Sequence, residues 1–239
     1  MCGHNKWSQI KRQKGTNDAK RSKMFAKLGK MITLAARNGG EPEANPTLKI
    51  AVDKARQINM PLENIKKAIK KGTGELDGGN IEEVLYEAYG PEGVALIIEA
   101  TTDNNNRTVS EVKHLLNVNG GRFGESGSVK WMFDRFGYLE VLRDDKTDTD
   151  AVEMAAIEAG AEDVSVLEDM VVVYVKPEDL YRVKTELEKN KLVISETGFE
   201  WKAKNKVKAS AEAVAQIGVL FDILDEQDDV NEVYSNLED

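Results

Sequence analysis

Apolar residues recur at spacings of three and four through the first third of the chain and at spacings of two in short runs beyond residue 80. The chain therefore changes there from a helical to a strand-bearing pattern. Over 18–38 the positions Met24, Leu28, Met31, Ile32 and Ala35 predict an amphipathic helix, with Thr16 or Asn17 as N-cap and Gly39 just past its end. Asn45 before Pro46 is a cap followed by proline at the first helical position, and Leu48, Ala51, Val52, Ala55 and Ile58 form the next stripe. Pro61 restarts the pattern, and Leu62, Ile65, Ala68 and Ile69 predict a third helix that stops at Gly72. Ahead of all three, residues 1–15 offer only Trp7 and Ile10 as apolar anchors and read as an extended arm.

The segment 73–80, with Gly74, Gly78 and Gly79, reads as a linker. Strands over 84–89 and 94–101 flank Gly90-Pro91-Glu92-Gly93 as a hairpin, followed by a helix over 108–119 and a strand over 129–133. From 138 to 202 the order is strand 138–142, helix 149–159, strands 164–167 and 170–175, helix 177–190 and strand 193–202. That βαββαβ order is the ferredoxin-like split βαβ arrangement. A helix over 210–224 and a strand over 230–234 would complete the earlier sheet layer. The expected fold is α+β in three parts: a basic arm with three helices (1–79), a discontinuous α+β domain (80–133 and 207–239), and a ferredoxin-like domain (134–206) inserted into it.

Charge divides along the same lines. The first 72 residues hold 17 Lys and Arg against 5 Asp and Glu in a chain whose net charge is −9. The discontinuous domain holds 5 basic against 17 acidic residues, eight of them between Asp222 and the end, and the inserted domain 11 against 18. A basic block of that size is the footprint of phosphate binding, whereas the acidic parts repel phosphate. Gly3, His4, Lys6, Trp7, Lys11, Arg12 and Lys14 on the arm, with Lys20, Arg21, Lys23, Lys27 and Lys30 on the first helix, are the candidate nucleic-acid contacts. Lysine and arginine would neutralise phosphates, glycine would admit a close backbone approach, and Trp7 could stack on a base. The bland alternative is an arm pinned by Trp7 and Ile10 with solvated lysines. With no tight turn evident between the second and third helices, a recognition helix is not singled out.

Other motifs are quieter. In 101–108, capping chemistry accounts for Asp103 and the three asparagines, leaving Arg107 as a candidate anion site. The Gly-rich stretch 120–128 lacks the Gly-Lys-Ser/Thr ending of a P-loop and reads as turns with Phe123 tucked under the sheet. No nucleophile and base are paired by the sequence, His114 reads as structural, and Asp144-Asp145 and Asp228-Asp229 sit in hydrophilic, turn-like settings. An enzyme is the weakest class. The single Cys2 and the two histidines offer no ligand set for a metal. The longest apolar run, 170–175, is far short of the roughly 20 residues a membrane helix needs. No signal peptide is evident, and a cytoplasmic location without membrane partners is expected.

Gly3-His4-Asn5-Lys6-Trp7, Asp18-Ala19-Lys20-Arg21, Ala35-Ala36-Arg37, Asn45-Pro46, Asn59-Met60-Pro61, Ala68-Ile69-Lys70-Lys71-Gly72, Tyr89-Gly90-Pro91 and Asn106-Arg107-Thr108 occur in this order along the chain. On these islands the chain resembles, over essentially its full length, the YebC/PmpR family, which includes the mitochondrial translational activator of cytochrome c oxidase. It departs from the common family start in Cys2 and Asn5. The resemblance implies a helical N-terminal domain plus two α/β domains, one inserted in the other, and nucleic-acid contact without cofactor or small-molecule substrate. It implies either a DNA-binding transcriptional regulatory protein or a ribosome-associated translation factor that binds ribosomal RNA and relieves stalling on proline-rich stretches.

Overall fold

The computed structural model describes residues 18–77, 79–143 and 147–238, with side chains from Arg21 onward. Within them lie seven helices and two four-stranded sheets. Helix α1 (Asp18–Ala35) ends in a 3-10 turn at Ala36–Asn38, with Gly39 at φ 128°. Asn45 then starts α2 (Pro46–Gln57) by accepting the Leu48 N–H at 3.1 Å. Its amide donates to Ala35 O and Gly39 O at 2.8 Å each, so one buried side chain caps α2 and ties it to the end of α1. Helix α3 (Leu62–Gly72) follows a four-residue turn in which Asn59 takes φ 57°. That turn is tight, contrary to expectation; asparagine enters the left-handed region without the glycine that would have announced it. A Cβ on Gly72 would stand 2.3 Å from Thr33 O, so the approach of α3 to α1 requires glycine.

The helices enclose their own core, in which Ile32, Ala35 and Ala36 meet Leu48, Ala51, Val52, Ala55, Ile65 and Ala68, with Phe25 and Leu28 packed alongside. The buried stripe of α1 centres on Ile32, Ala35 and Ala36, with half-buried Phe25 and Leu28 packed against it; Met24 and Met31 are half-buried too. α1 packs against the other helices and also against the sheet that follows, so its apolar residues spread around the helix and blur the phase of the pattern.

Next come β1 (Glu82–Tyr89), β2 (Ala95–Thr102), α4 (Asn105–Val118) and the two-residue β3 (Arg122–Phe123). The inserted part holds β4 (Phe133–Leu142), α5 (Thr149–Ala159), β5 (Asp163–Val166), β6 (Met170–Val175), α6 (Leu180–Lys189) and β7 (Ile194–Ala203). The chain closes with α7 (Ala211–Glu226) and β8 (Val230–Ser235). Two compact units result: Asp134–Lys202, and the rest of the described chain.

In the unit over 134–202 the strand order is β5-β6-β4-β7, the ferredoxin-like order. β6 is buried along its whole length; Met170, Val172 and Tyr174 cluster with Tyr138 on one face. Gly137 lets α6 lie close, since a Cβ there would meet Leu180 at 3.0 Å.

The larger unit carries the sheet β3-β1-β2-β8, antiparallel throughout, over which α4 and α7 pack side by side. The strand expected over 129–133 is instead a 3-10 turn at Lys130–Met132, after which β4 begins, and β3 takes the sheet edge. The cause is Glu87: its buried carboxylate accepts the N–H groups of Gly127, Val129 and Lys130 at 2.6, 2.6 and 2.7 Å, which withdraws those donors from any ladder. Burial alone would raise the Glu87 pKa, but the three N–H donors hold it below the usual carboxylate range. Phe123 lies in β3 with its ring 5.7 Å from that of Tyr86, and His114 is exposed on α4 rather than packed in a core.

One buried carboxylate joins the helices to this sheet. Asp229, with a side chain only 1% exposed, accepts from Lys30 Nζ of α1, from Arg107 Nη2 at 2.8 Å and from Thr108 Oγ1 at 2.7 Å. Burial pushes its pKa up, but the Lys30, Arg107 and Thr108 donors overcome that and hold it far below the carboxylate range. Nearby, burial and then the charges of Asp229 and Glu82 push the Tyr86 phenol up to about 12.

Replacing Asp229→Asn should cost about 2–4 kcal/mol in urea unfolding, because Lys30 and Arg107 lose a shared buried counter-charge. A loss under about 0.5 kcal/mol would contradict this account. Because the folded pKa is depressed, the contribution is complete above the unfolded aspartate value of about 4 and is lost as pH falls from there through the folded value. The wild type and Asp229→Asn should therefore converge in stability in acid.

Candidate nucleic-acid interface

The basic block divides into lysines that are engaged by the protein and lysines that face solvent. Gly3, His4, Lys6, Trp7, Lys11, Arg12 and Lys14 lie outside the described residues, and Lys20 lies on α1 with its side chain outside them. Arg21 is exposed, its guanidinium 5.5 Å from the Phe25 ring.

Lys23, Lys27 and Lys30, spaced four and three apart on one side of α1, meet the C-terminal end of α7. Lys23 Nζ donates to Glu226 O at 3.0 Å and lies 3.6 Å from Asp228 Oδ1. Lys27 Nζ donates to Asp225 O at 2.5 Å, and Lys30 reaches Asp228 O at 3.4 Å as well as the Asp229 carboxylate. The last carbonyls of a helix have no partner within it and carry the negative end of its dipole, so ammonium groups are favoured there. Gln227 locks the turn beyond α7, its Oε1 accepting the N–H groups of Asp229 and Val230 at 2.6 and 2.8 Å.

Arg107 is engaged in the same way. Its guanidinium donates to Asp103 at 2.9 Å and Asp229 at 2.8 Å, and these two hydrogen-bonded carboxylates raise its pKa further. The anion it holds is the chain's own. Asn104 caps α4 by accepting the Arg107 N–H at 3.1 Å, so the capping reading of this loop describes its geometry.

Among the described residues of the basic block, the largest group of solvent-facing cations lies on α3. Ile65 and Ala68 are buried while Lys66, Lys67 and Lys70 are exposed, which gives a basic outer face about one turn long; Lys71 is half-buried at its edge. Among the described residues only Lys66 of this group is paired, with Glu63 at 3.2 Å. On α2, by contrast, Lys49 sits 2.7 Å from Glu43 and Arg56 3.6 Å from Asp53. Charge density along the sequence points to α1 and passes over α3; the alternation of Ile65 and Ala68 with lysines is the signal that marks this face.

Residues 5–75 match the family model of the TACO1/YebC protein N-terminal domain, and residues 81–237 that of the TACO1/YebC second and third domain. A relative from Pseudothermotoga lettingae named "Probable transcriptional regulatory protein" is 47% identical over 239 residues, covering 100% of this chain and 94% of the relative. One of the same name from Thermotoga maritima is 48% identical over 245 residues, with the same coverage of both chains. The crystal structure of a conserved hypothetical protein from Aquifex aeolicus superposes with a TM-score of 0.88 at 45% identity, covering 98% of this chain and 97% of that one. With both family models matched in sequence order across nearly all of its length, the chain belongs to the TACO1/YebC family.

Proposed function

We propose that this protein is a cytoplasmic, non-enzymatic nucleic-acid-binding regulator of gene expression that acts in transcription, through its N-terminal basic block. The observation that carries this reading is the exposed Lys66, Lys67 and Lys70 face of α3, in a domain whose arm adds Lys6, Lys11, Arg12 and Lys14. The names of the relatives, probable transcriptional regulatory proteins, support its regulatory part. We further read the chain as three functional parts, 1–79 binding phosphate, 80–133 with 207–239 holding the helices in place, and 134–206 inserted. The acidic domains would orient the bound protein by repelling phosphate from the wrong faces. A translation factor gripping ribosomal RNA is the second reading, favoured by the composition of the arm, in which Trp7 and glycines suit irregular RNA better than a duplex groove.

Reversing Lys11, Arg12, Lys20 and Arg21 to Glu should weaken binding by about a hundredfold or more, with circular dichroism unchanged, because Arg21 is exposed and the other three are not among the apolar positions of the sequence. Native spectra with unaltered affinity would sink the basic-block reading. Neutralising Lys66, Lys67 and Lys70 to Gln should lower the slope of log affinity against log salt by about 0.7–0.9 for each phosphate that α3 no longer neutralises. An unchanged slope would remove α3 from the interface. Trp7→Ala separates the two readings: a greater loss on single-stranded RNA than on duplex DNA speaks for base stacking and the ribosomal reading, and equal losses speak for backbone contact alone.

A further inference from the structure

Three lysines of α1, Lys23, Lys27 and Lys30, belong to the basic block that marks this sequence, yet they are turned onto the protein's own acidic helix end. Lys27 is 13% exposed and Lys30 23%, and both ammonium groups are engaged by the end of α7 while α1 is docked; Lys23, at 49%, stands at the open flank. We propose that the Lys23, Lys27 and Lys30 face of α1 is shared by two anionic occupants, the C-terminal end of α7 in the free protein and a nucleic-acid phosphate backbone in the complex. Docking of the helices on the sheet and full nucleic-acid binding are then mutually exclusive. The inference rests on the nucleic-acid-binding reading above and adds how that surface is regulated.

Three observations support a releasable contact. The helical block has a hydrophobic core of its own, built from residues between Phe25 and Ile69, to which the contact of α1 with β2 is an addition. The described residues of the connection to β1, 73–77 with 79–80, are exposed, and Gly74 and Gly79 take φ 84° and 68° with nothing packed where a Cβ would stand. Finally, the acids that hold α1 differ in commitment. Asp225 and Asp228 are 35% and 70% exposed and make pairs at 3.9 and 3.6 Å, of the weak and salt-screened kind. Asp229 is buried but retains Arg107 and Thr108 after Lys30 departs, so release does not orphan a buried charge.

A polyanion reaching Lys23 would compete first for the exposed pairs and then for Lys27 and Lys30. Each lysine transferred to phosphate releases a counterion that its intramolecular carboxylate cannot release. The contact therefore sets a threshold: weak, isolated anions leave the helices docked, and a continuous phosphate backbone undocks them.

The test compares the full chain with Asp225→Asn/Asp228→Asn, leaving Asp229 intact, and with Glu125→Gln/Glu212→Gln, which removes the same charge elsewhere in the domain. Glu125 lies beyond β3, at the sheet edge opposite β8, and Glu212 lies in the first turn of α7. Affinity for a fluorescein-labelled RNA single strand and for a duplex DNA is read by anisotropy, and hydrogen exchange is followed at residues 224–229. The proposal expects the aspartate variant to bind about three- to tenfold more tightly than the control variant, as two surface pairs would give. It also expects amides at 224–229 of the wild type to exchange faster when nucleic acid is bound. Equal affinities of the two variants, or unchanged exchange on binding, would overturn the shared-occupant model while leaving nucleic-acid binding in place. A wild-type chain that binds neither probe would overturn the functional reading itself.

Discussion

The arrangement of the larger unit depends on the burial of Asp229 between two cations from different parts of the chain. A lone carboxylate at 1% exposure would be forced to protonate or would destabilise the fold. Here Lys30 arrives from α1, Arg107 and Thr108 from the first turn of α4, and the aspartate itself from the turn into β8. Segments separated by about half the chain and more thus converge on one charge, and the geometry of each is constrained by the others. Thr101 N–H donates to Asp229 O at 2.8 Å, so the backbone pairing of β2 with the start of β8 is fixed at the same point.

That convergence recasts the acidic character of the C-terminal stretch. Counted as surface charge, eight acids between Asp222 and the end describe a face that repels nucleic acid. In the fold, three of them, Asp225, Asp228 and Asp229, are turned toward lysines of α1. The carbonyls of Asp225 and Glu226 add the negative end of the α7 dipole. Net charge per domain overstates the separation between basic and acidic parts, because the two sign-opposed surfaces satisfy each other. What reaches solvent from the described part of the basic block includes the lysines of α3, together with Arg21 and Arg37.

Much of this is legible in the sequence. The Asn45-Pro46 cap, the break at Pro61 and the βαββαβ order rest on local chemistry and periodicity, and each stands in the fold within a few residues of its expected place. The differences share a cause, namely side chains acting over long sequence separations. Nothing local marks Glu87 as the acceptor for Gly127, Val129 and Lys130, so the turn they form has the sequence pattern of a strand. The two residues of β3 are too few to show alternation. Arg107 stands out as unexplained by capping, and the explanation lies 122 residues away at Asp229. For the α1 lysines, distance from an apolar stripe separates core from non-core but does not separate solvent from a second protein surface.

That last distinction matters for how a basic helix is interpreted at all. A lysine at a helix surface has a long apolar stem and a mobile charge, and it is satisfied equally by water, a carboxylate, a helix C-terminus or a phosphate. Sequence sets the charge and its spacing; the alternatives in the same chain decide the occupant. Lys27 has bonded the last turn of α7 at 2.5 Å, and it lies four residues from Lys23 and three from Lys30, a spacing that lines one helix face just as a phosphate contact would require. A pattern fit for nucleic acid is therefore also fit for an acidic helix end, and under the shared-occupant proposal the two compete for the same three lysines of α1.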